Sequence, residues 1–271
     1  MYHHPRTAKD FGFGANAGGF AKSGGFVAPG DEKFDDTSWQ KVDLPHDWAL
    51  ELPFENARAL TDHGSYPLGR GYPATSIGWY RRVFDLPAAD AGRRIALEFD
   101  GVFRNSIVVF NGHYLGTAMS GYAPFSFDVT DLAAVGGKNV LVVRADATVG
   151  EGWFYEGVGI YRHVWLAKTN PVHVAQWGTF VRAEVRPGAA TVKITTEVAN
   201  DSDSTKACRV VSRIVGPGGS AVATVTAAPI SITAWSRRDR GGSRRGGGPL
   251  RDAVRHPLAA VRRRKGILPQ R

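Results

Sequence analysis

Short runs in which apolar and polar residues alternate dominate the chain. Ile95, Leu97 and Phe99 alternate with Ala96 and Glu98, and Phe125, Phe127 and Val129 repeat the same period of two. That is the pattern of a half-buried strand. Residues 79–84, 94–99, 106–110 and 140–146 are β-rich runs bounded by turn residues. Asn111-Gly112 stands between Val108-Val109-Phe110 and Tyr114-Leu115. This predicts a hairpin closed by a type I′ turn, whose two central residues both need positive φ. Residues 130–135 are long enough for one helical turn, with Thr130 as its cap. No longer helical period exists. The pattern therefore excludes a doubly wound α/β fold and predicts an all-β chain whose first unit is a jelly-roll sandwich.

The flanking segments divide the chain further. Residues 1–30 hold seven Gly and few aliphatics and read as an irregular leader. Asp35-Asp36-Thr37-Ser38-Trp39 reads as a turn that places one large aromatic in a core. The chain then runs extended through Val42 and Leu44, since Pro45 biases the residue before it toward β geometry. Gly64, Pro67, Gly69, Gly71 and Pro73 mark a long loop before Ile77, and loops of that length are often functional. The first unit spans 31–169. A second β unit begins at Asn170-Pro171, with strand-like segments at 172–174, 180–181, 191–198 and 210–215 and turns at 200–206 and 216–220. About five strands are visible where an immunoglobulin-like sandwich needs roughly seven. The expectation is an incomplete sandwich over 170–235. Cys208 reads as a small buried side chain in one of its strands.

Composition changes this picture in two places. Hydrophobic residues at 43% and seven Trp suffice for a sizeable core, and no apolar run approaches the roughly 18 residues of a membrane span. The formal charge of +9 suggests a nucleic-acid partner until it is located. Residues 236–271 hold eleven Arg and one Lys against Asp239 and Asp252, a net of +10, so the other 235 residues carry −1. In that tail no hydrophobic period survives, and it is expected to be disordered. Three readings stand: a GC-rich gene read out of frame, a natural disordered tail, or an Arg/Gly-rich nucleic-acid arm. The tail has no aromatic residue for base stacking, which counts against the last. The chain opens without a secretory pattern, which implies a cytoplasmic location if Met1 is the authentic start. His3-His4 and His46-Asp47 have no metal-site or nucleophile spacing around them, so neither a metal nor a cofactor is expected.

Three stretches together carry a family resemblance. Asp35-Asp36-Thr37-Ser38-Trp39-Gln40-Lys41-Val42-Asp43-Leu44-Pro45-His46-Asp47-Trp48 resembles the opening signature of family 2 glycoside hydrolases, the β-galactosidase, β-glucuronidase and β-mannosidase group. Gly78-Trp79-Tyr80-Arg81-Arg82-Val83-Phe84 resembles the next strand of their sugar-binding jelly roll. Gly157-Val158-Gly159-Ile160-Tyr161-Arg162-His163-Val164-Trp165-Leu166 resembles the segment that closes it. Phe99-Asp100-Gly101-Val102, Val109-Phe110-Asn111-Gly112 and Phe127-Asp128-Val129-Thr130-Asp131-Leu132 fall between in matching order, and the likeness extends over residues 31–232.

The resemblance implies a galactose-binding-like jelly roll followed by the start of an immunoglobulin-like domain, and a carbohydrate, galactoside-type ligand. The family hydrolyses with retention, using two glutamates on a (β/α)₈ barrel. Retention needs carboxyls about 5–5.5 Å apart, and such a barrel takes about 250 residues. The two β units already use the ordered chain, so the expectation is an N-terminal part truncated before the barrel and inactive alone. Glu51, Glu98, Glu151 and Glu184 read as solvated charges. A stand-alone carbohydrate-binding module is the alternative. By the resemblance, Asp146 matches an aspartate whose loop reaches the sugar site, though it also suits a turn. Trp153, Phe154 and Tyr155 in the following Gly-flanked loop suit either sugar stacking or core packing. Tyr66 and Tyr72, in the loop 61–75, mark a second edge. No residue is assigned a catalytic role. Oligomeric state, sugar and linkage are not legible.

Overall fold

The computed structural model describes residues 2–3, 29–51, 77–147, 157–234, 252–255 and 259–262. The chain is almost entirely β and divides into two compact units, Met1–Lys168 and Thr169–Arg271. Among the described residues no helix is long and apolar enough to cross a membrane.

The first unit is a two-layer sandwich. Its strands are β1 (Tyr2–His3), β2 (Ile77–Asp85), β3 (Arg94–Phe99), β4 (Ser106–Phe110), β5 (His113–Ala118), β6 (Phe125–Asp128), β7 (Lys138–Asp146) and β8 (Val164–Thr169). One sheet has the order β1-β2-β7-β4-β5 and the other β6-β3-β8. Alternation decides which side chains meet between them. Ile95, Leu97 and Phe99 from β3 pack with Tyr80, Val108, Phe110, Leu141 and Val143 of the larger sheet in one cluster, all buried. Burying side chains of this size against a facing layer is what offsets the ordering entropy of so many short strands.

The larger sheet is covered on its other face as well. Phe34 and Trp39 pack there against Trp79, Val109, Val140 and Val142, which is why residues 140–143 form an unbroken apolar run. Asp35 accepts the Thr37 backbone N–H at 3.0 Å to make the turn that delivers Trp39, as its sequence predicts. Arg81, only 4% exposed, clamps this segment. Its guanidinium donates to the Pro29 and Asp31 carbonyls at 2.8 and 3.0 Å and pairs with Asp36 at 2.5 Å. A buried guanidinium is tolerated here because its donors are matched.

The predicted hairpin is present. Asn111 and Gly112 have φ of 48° and 76° between β4 and β5. The Asn111 side chain also accepts the Val140 N–H at 2.8 Å and donates to the side-chain oxygen of fully buried Asn139 at 2.9 Å, tying the turn to β7. The helical turn is shorter than expected, a 3-10 turn over Thr130–Leu132 capped at Val129 rather than Thr130. Thr130 is inside the turn because its hydroxyl is taken by β3, accepting the Ile95 N–H at 2.9 Å, while Asp128 receives the Thr130 N–H at 3.0 Å.

The second unit departs further from its sequence pattern. Segments 172–174 and 180–181 belong to one long strand, β9 (Val172–Arg186), paired antiparallel with β10 (Ala189–Asn200). A bulge where the register shifts between Thr196 and Val198 breaks the alternation. Trp177 sits in it at a φ of 53°. A Cβ on Gly178 would lie 2.7 and 2.9 Å from two backbone carbonyl oxygens, so the bulge requires glycine. β11 (Lys206–Cys208) pairs with β14 (Ile230–Ile232), and β12 (Val211–Val215) with β13 (Ala221–Thr226). Cys208 is half-buried at the end of β11 rather than fully enclosed, because the cluster beside it is small. Among the described residues its buried members are Val198 and Ile232.

Two termini expected to be irregular contribute strands. Tyr2 and His3 pair with Tyr80 and Trp79 on the edge of β2. β15 (Asp252–Arg255) and β16 (Ala259–Arg262) pair with the edge of β10 away from β9. An exposed strand edge offers unpaired N–H and C=O groups to any compatible segment, and Ala253-Val254 and Ala259-Ala260-Val261 are compatible. Residues 1, 4–28 and the rest of 236–271 lie outside the described residues.

Candidate functional site

Three stretches far apart in sequence converge to frame one end of the first unit. The His46 N–H donates to the Ile160 carbonyl at 2.8 Å, and His46 Nδ1 lies 2.9 Å from the Tyr80 hydroxyl. The Asp47 carboxylate accepts the Val158 N–H at 3.2 Å. Trp48, 1% exposed, packs beneath Gly78 and Gly159. A Cβ on Gly78 would lie 2.5 Å from the Trp48 ring, and Gly159 also has a φ of 93°, so both positions demand glycine. His46 and Asp47 are thereby engaged in holding the frame.

The frame positions the end of β7. Asp146 is its last residue, half-buried, with its backbone N–H donating to the Arg104 carbonyl at 2.8 Å. Its carboxylate pairs with Arg144 at 3.2 Å. Residues two apart on a strand share a face, so this pair follows from strand geometry. Ion pairs near a surface contribute about 1 kcal/mol or less; the larger effect is to fix the carboxylate's direction. A carboxylate accepts several hydrogen bonds at once.

Arg104 and an exposed aromatic complete the neighbourhood. The Arg104 guanidinium lies 5.8 Å from the centre of the Phe103 ring. Phe103 is fixed by two backbone hydrogen bonds with Gly159, at 2.9 and 2.8 Å. The Tyr122 ring meets Phe103 edge-on at 5.7 Å and is 50% exposed. A fixed carboxylate, guanidinium donors and a half-exposed aromatic face suit a polyhydroxylated ring, which needs hydrogen-bonding partners at its edge and an apolar surface for its C–H face.

Of the residues singled out by sequence, Asp146 lies at this end of the unit. Trp153, Tyr155 and Tyr72 lie outside the described residues, as do Phe154, Tyr66 and Glu151. Glu98 is on the outer face of β3, opposite the buried Leu97 and Phe99. Glu184 is exposed on β9 in the other unit, 4.0 Å from Arg182. Arg104, Arg144 and Tyr122 were not singled out by sequence. The available signal was Tyr122 in a Gly-Tyr-Ala-Pro break between alternating runs, where an aromatic has no period to satisfy. Among the described residues no group of three or more His, Cys, Asp or Glu is placed to hold a metal ion.

Comparison with known proteins places this geometry in a family. Residues 33–170 match the model of the glycosyl hydrolases family 2 sugar binding domain. A β-galactosidase of Bacteroides ovatus is 40% identical over 222 residues, an alignment covering 81% of this chain and 25% of that enzyme. A putative β-glucuronidase of Formosa agariphila is 36% identical over 152 residues, covering 56% of this chain and 14% of its own length. Among solved structures, a family 2 glycosyl hydrolase of Bacteroides cellulosilyticus superimposes with a TM-score of 0.69 at 28% identity, covering 90% of this chain and 30% of that one. The chain thus spans a quarter or less of the length of these two sequence relatives. It carries their sugar-binding jelly roll and belongs to glycosyl hydrolase family 2.

Proposed function

We propose that this chain supplies the sugar-contacting N-terminal part of a retaining β-glycosidase acting on β-galactosides. In this reading Asp146 accepts hydrogen bonds from sugar hydroxyls, with Arg144 fixing its orientation, and the chain alone binds sugar without hydrolysing it. The supporting observation is the half-buried carboxylate at the end of β7, paired with Arg144 and tied through its backbone to Arg104. The 40% identity to a β-galactosidase favours a galactoside over a glucuronide. Retention needs two carboxyls about 5–5.5 Å apart on a rigid scaffold. Of the glutamates named above, Glu98 and Glu184 sit on separate strands of separate units.

Titration of the whole chain with galactose and with glucuronate, followed by calorimetry, tests this. The expectation is weak, galactose-preferring binding reduced about tenfold or more in Asp146→Ala, with no release of chromophore from a chromogenic β-galactoside. Binding indifferent to Asp146, a preference for glucuronate, or turnover by the chain alone would each overturn it.

A further inference from the structure

A cavity of about 510 Å³ opens between the two sheets of the first unit. One wall is the inner face of β2 and β7, with Tyr80, Phe84, Leu141 and Val143; the other includes Leu97 and Phe99 of β3. Val164 and Leu166 of β8 and the segment Val42-Asp43-Leu44 complete its edge. Its volume falls in the range of small-molecule sites, about 300–1,000 Å³, and its walls are apolar and aromatic as such sites are.

The rim carries charge where the pattern calls for an apolar residue. Arg82 pairs with Leu141 across β2 and β7, so it stands on the inner face between Tyr80 and Phe84. Arg82 is exposed, as is Asp43 on the facing segment, and both line the cavity. Neither side chain enters a hydrogen bond or ion pair among the described residues. Arg81 and Asp85 also border the cavity, but they alternate to the opposite face of β2, where Arg81 is committed to Asp36 and Pro29. Trp165 stands at the edge, half-exposed, its indole N–H held by the Asp100 carboxylate at 3.0 Å.

We propose that this cavity binds the apolar ring of a glycoside, with the sugar at the rim between Arg82 and Asp43. An apolar ring suits the aromatic walls. One uncommitted donor and one uncommitted acceptor, of opposite charge, complement a neutral hydroxylated head better than an ion. The choice of a sugar as that head rests on the carbohydrate reading above; the preference for an apolar ring does not. The site is separate from Asp146, since Leu141 and Val143 face the inter-sheet core while Asp146 alternates to the opposite face of β7 with Val140 and Val142.

Ligand-observed saturation-transfer NMR and calorimetry on the whole chain test this with phenol, phenyl β-galactoside and galactose as probes. Phenyl β-galactoside should bind at least tenfold tighter than either part. Val143→Phe, which fills the cavity, should abolish binding of phenol and phenyl β-galactoside. Leu44→Trp, at an exposed rim position, should do the same if the buried change prevents folding, as near-ultraviolet circular dichroism will report. Arg82→Ala should weaken phenyl β-galactoside about fivefold and leave phenol unchanged. Phenol carries no sugar, so its binding and its loss in Val143→Phe test the cavity whether or not the carbohydrate reading holds. The proposal is overturned if phenol and phenyl β-galactoside do not bind, if the galactosyl head adds nothing, or if binding ignores both cavity variants.

Discussion

The two β units share strand chemistry but not burial. The first encloses Trp48, Trp79, Phe99, Phe103 and Phe110 at 1% exposure or less, between two sheets and beneath the 29–39 segment. The second leaves Trp177 71%, Phe180 67% and Val185 79% exposed along β9, around a core of Val198 and Ile232. β10 alternates in burial as β3 does. The difference lies in whether a second layer faces the apolar side, because an apolar strand face stabilises only to the extent that something covers it.

That contrast can be broken by experiment. Truncating Trp48→Ala should cost about 3–5 kcal/mol in denaturant unfolding, the usual loss for a large buried aromatic. Phe180→Ala should stay within about 0.5 kcal/mol, as exposed positions do. Equal effects would show that β9 is covered in solution. Gly159→Ala should cost about 3 kcal/mol, since the new methyl would meet the Tyr80 hydroxyl and lie 2.7 Å from the Trp48 ring at a φ of 93°. Gly188→Ala, also at positive φ but with no neighbour within 4 Å, should cost less.

Hydrogen exchange sharpens the comparison. Amides of Val140, Val142 and Val143 should exchange roughly a hundredfold more slowly than those of Val211 and Ile214, because local opening follows local burial. Comparable protection would mean that the units open together.

The smallest effect concerns pH. The Thr37 side-chain and backbone hydrogen bonds hold the Asp35 carboxyl below its ordinary value. A depressed carboxyl stabilises the fold above the unfolded-state value and loses that contribution as pH falls through the folded-state one. Asp35→Ala should therefore flatten the acid limb of stability below about pH 4, by a small margin because the group is fully exposed. A variant with an unchanged acid limb would show that the turn does not depend on this carboxylate.

Particular residues show what was legible. Asn111-Gly112 specified its turn, and Asp35 to Trp39 specified a turn with a buried aromatic, because each is a relation between neighbours in the chain. The glycines of 157–159 could be recognised as a motif, yet the reason for Gly159 is Trp48, more than a hundred residues away. Arg81 and Arg82 are adjacent and chemically identical in sequence. Only the register of β2 against β7 sends the first into a clamp on Pro29 and Asp36 and the second to the rim of a cavity. Asp146 was singled out through the resemblance, whereas Arg104 meets its backbone and Tyr122 meets Phe103 through contacts with no sequence periodicity.

By itself the sequence determined the all-β class, the main strands of the first unit, the tight turns and the family. These rest on side-chain alternation and on turn chemistry, which operate over two to five residues. The tertiary structure decided which faces are covered, how Arg81 and Arg82 divide between two faces, and what shares an end of the unit with Asp146. Those depend on strand register and on chain segments closing over long separations, where a shift of one residue reverses every side chain.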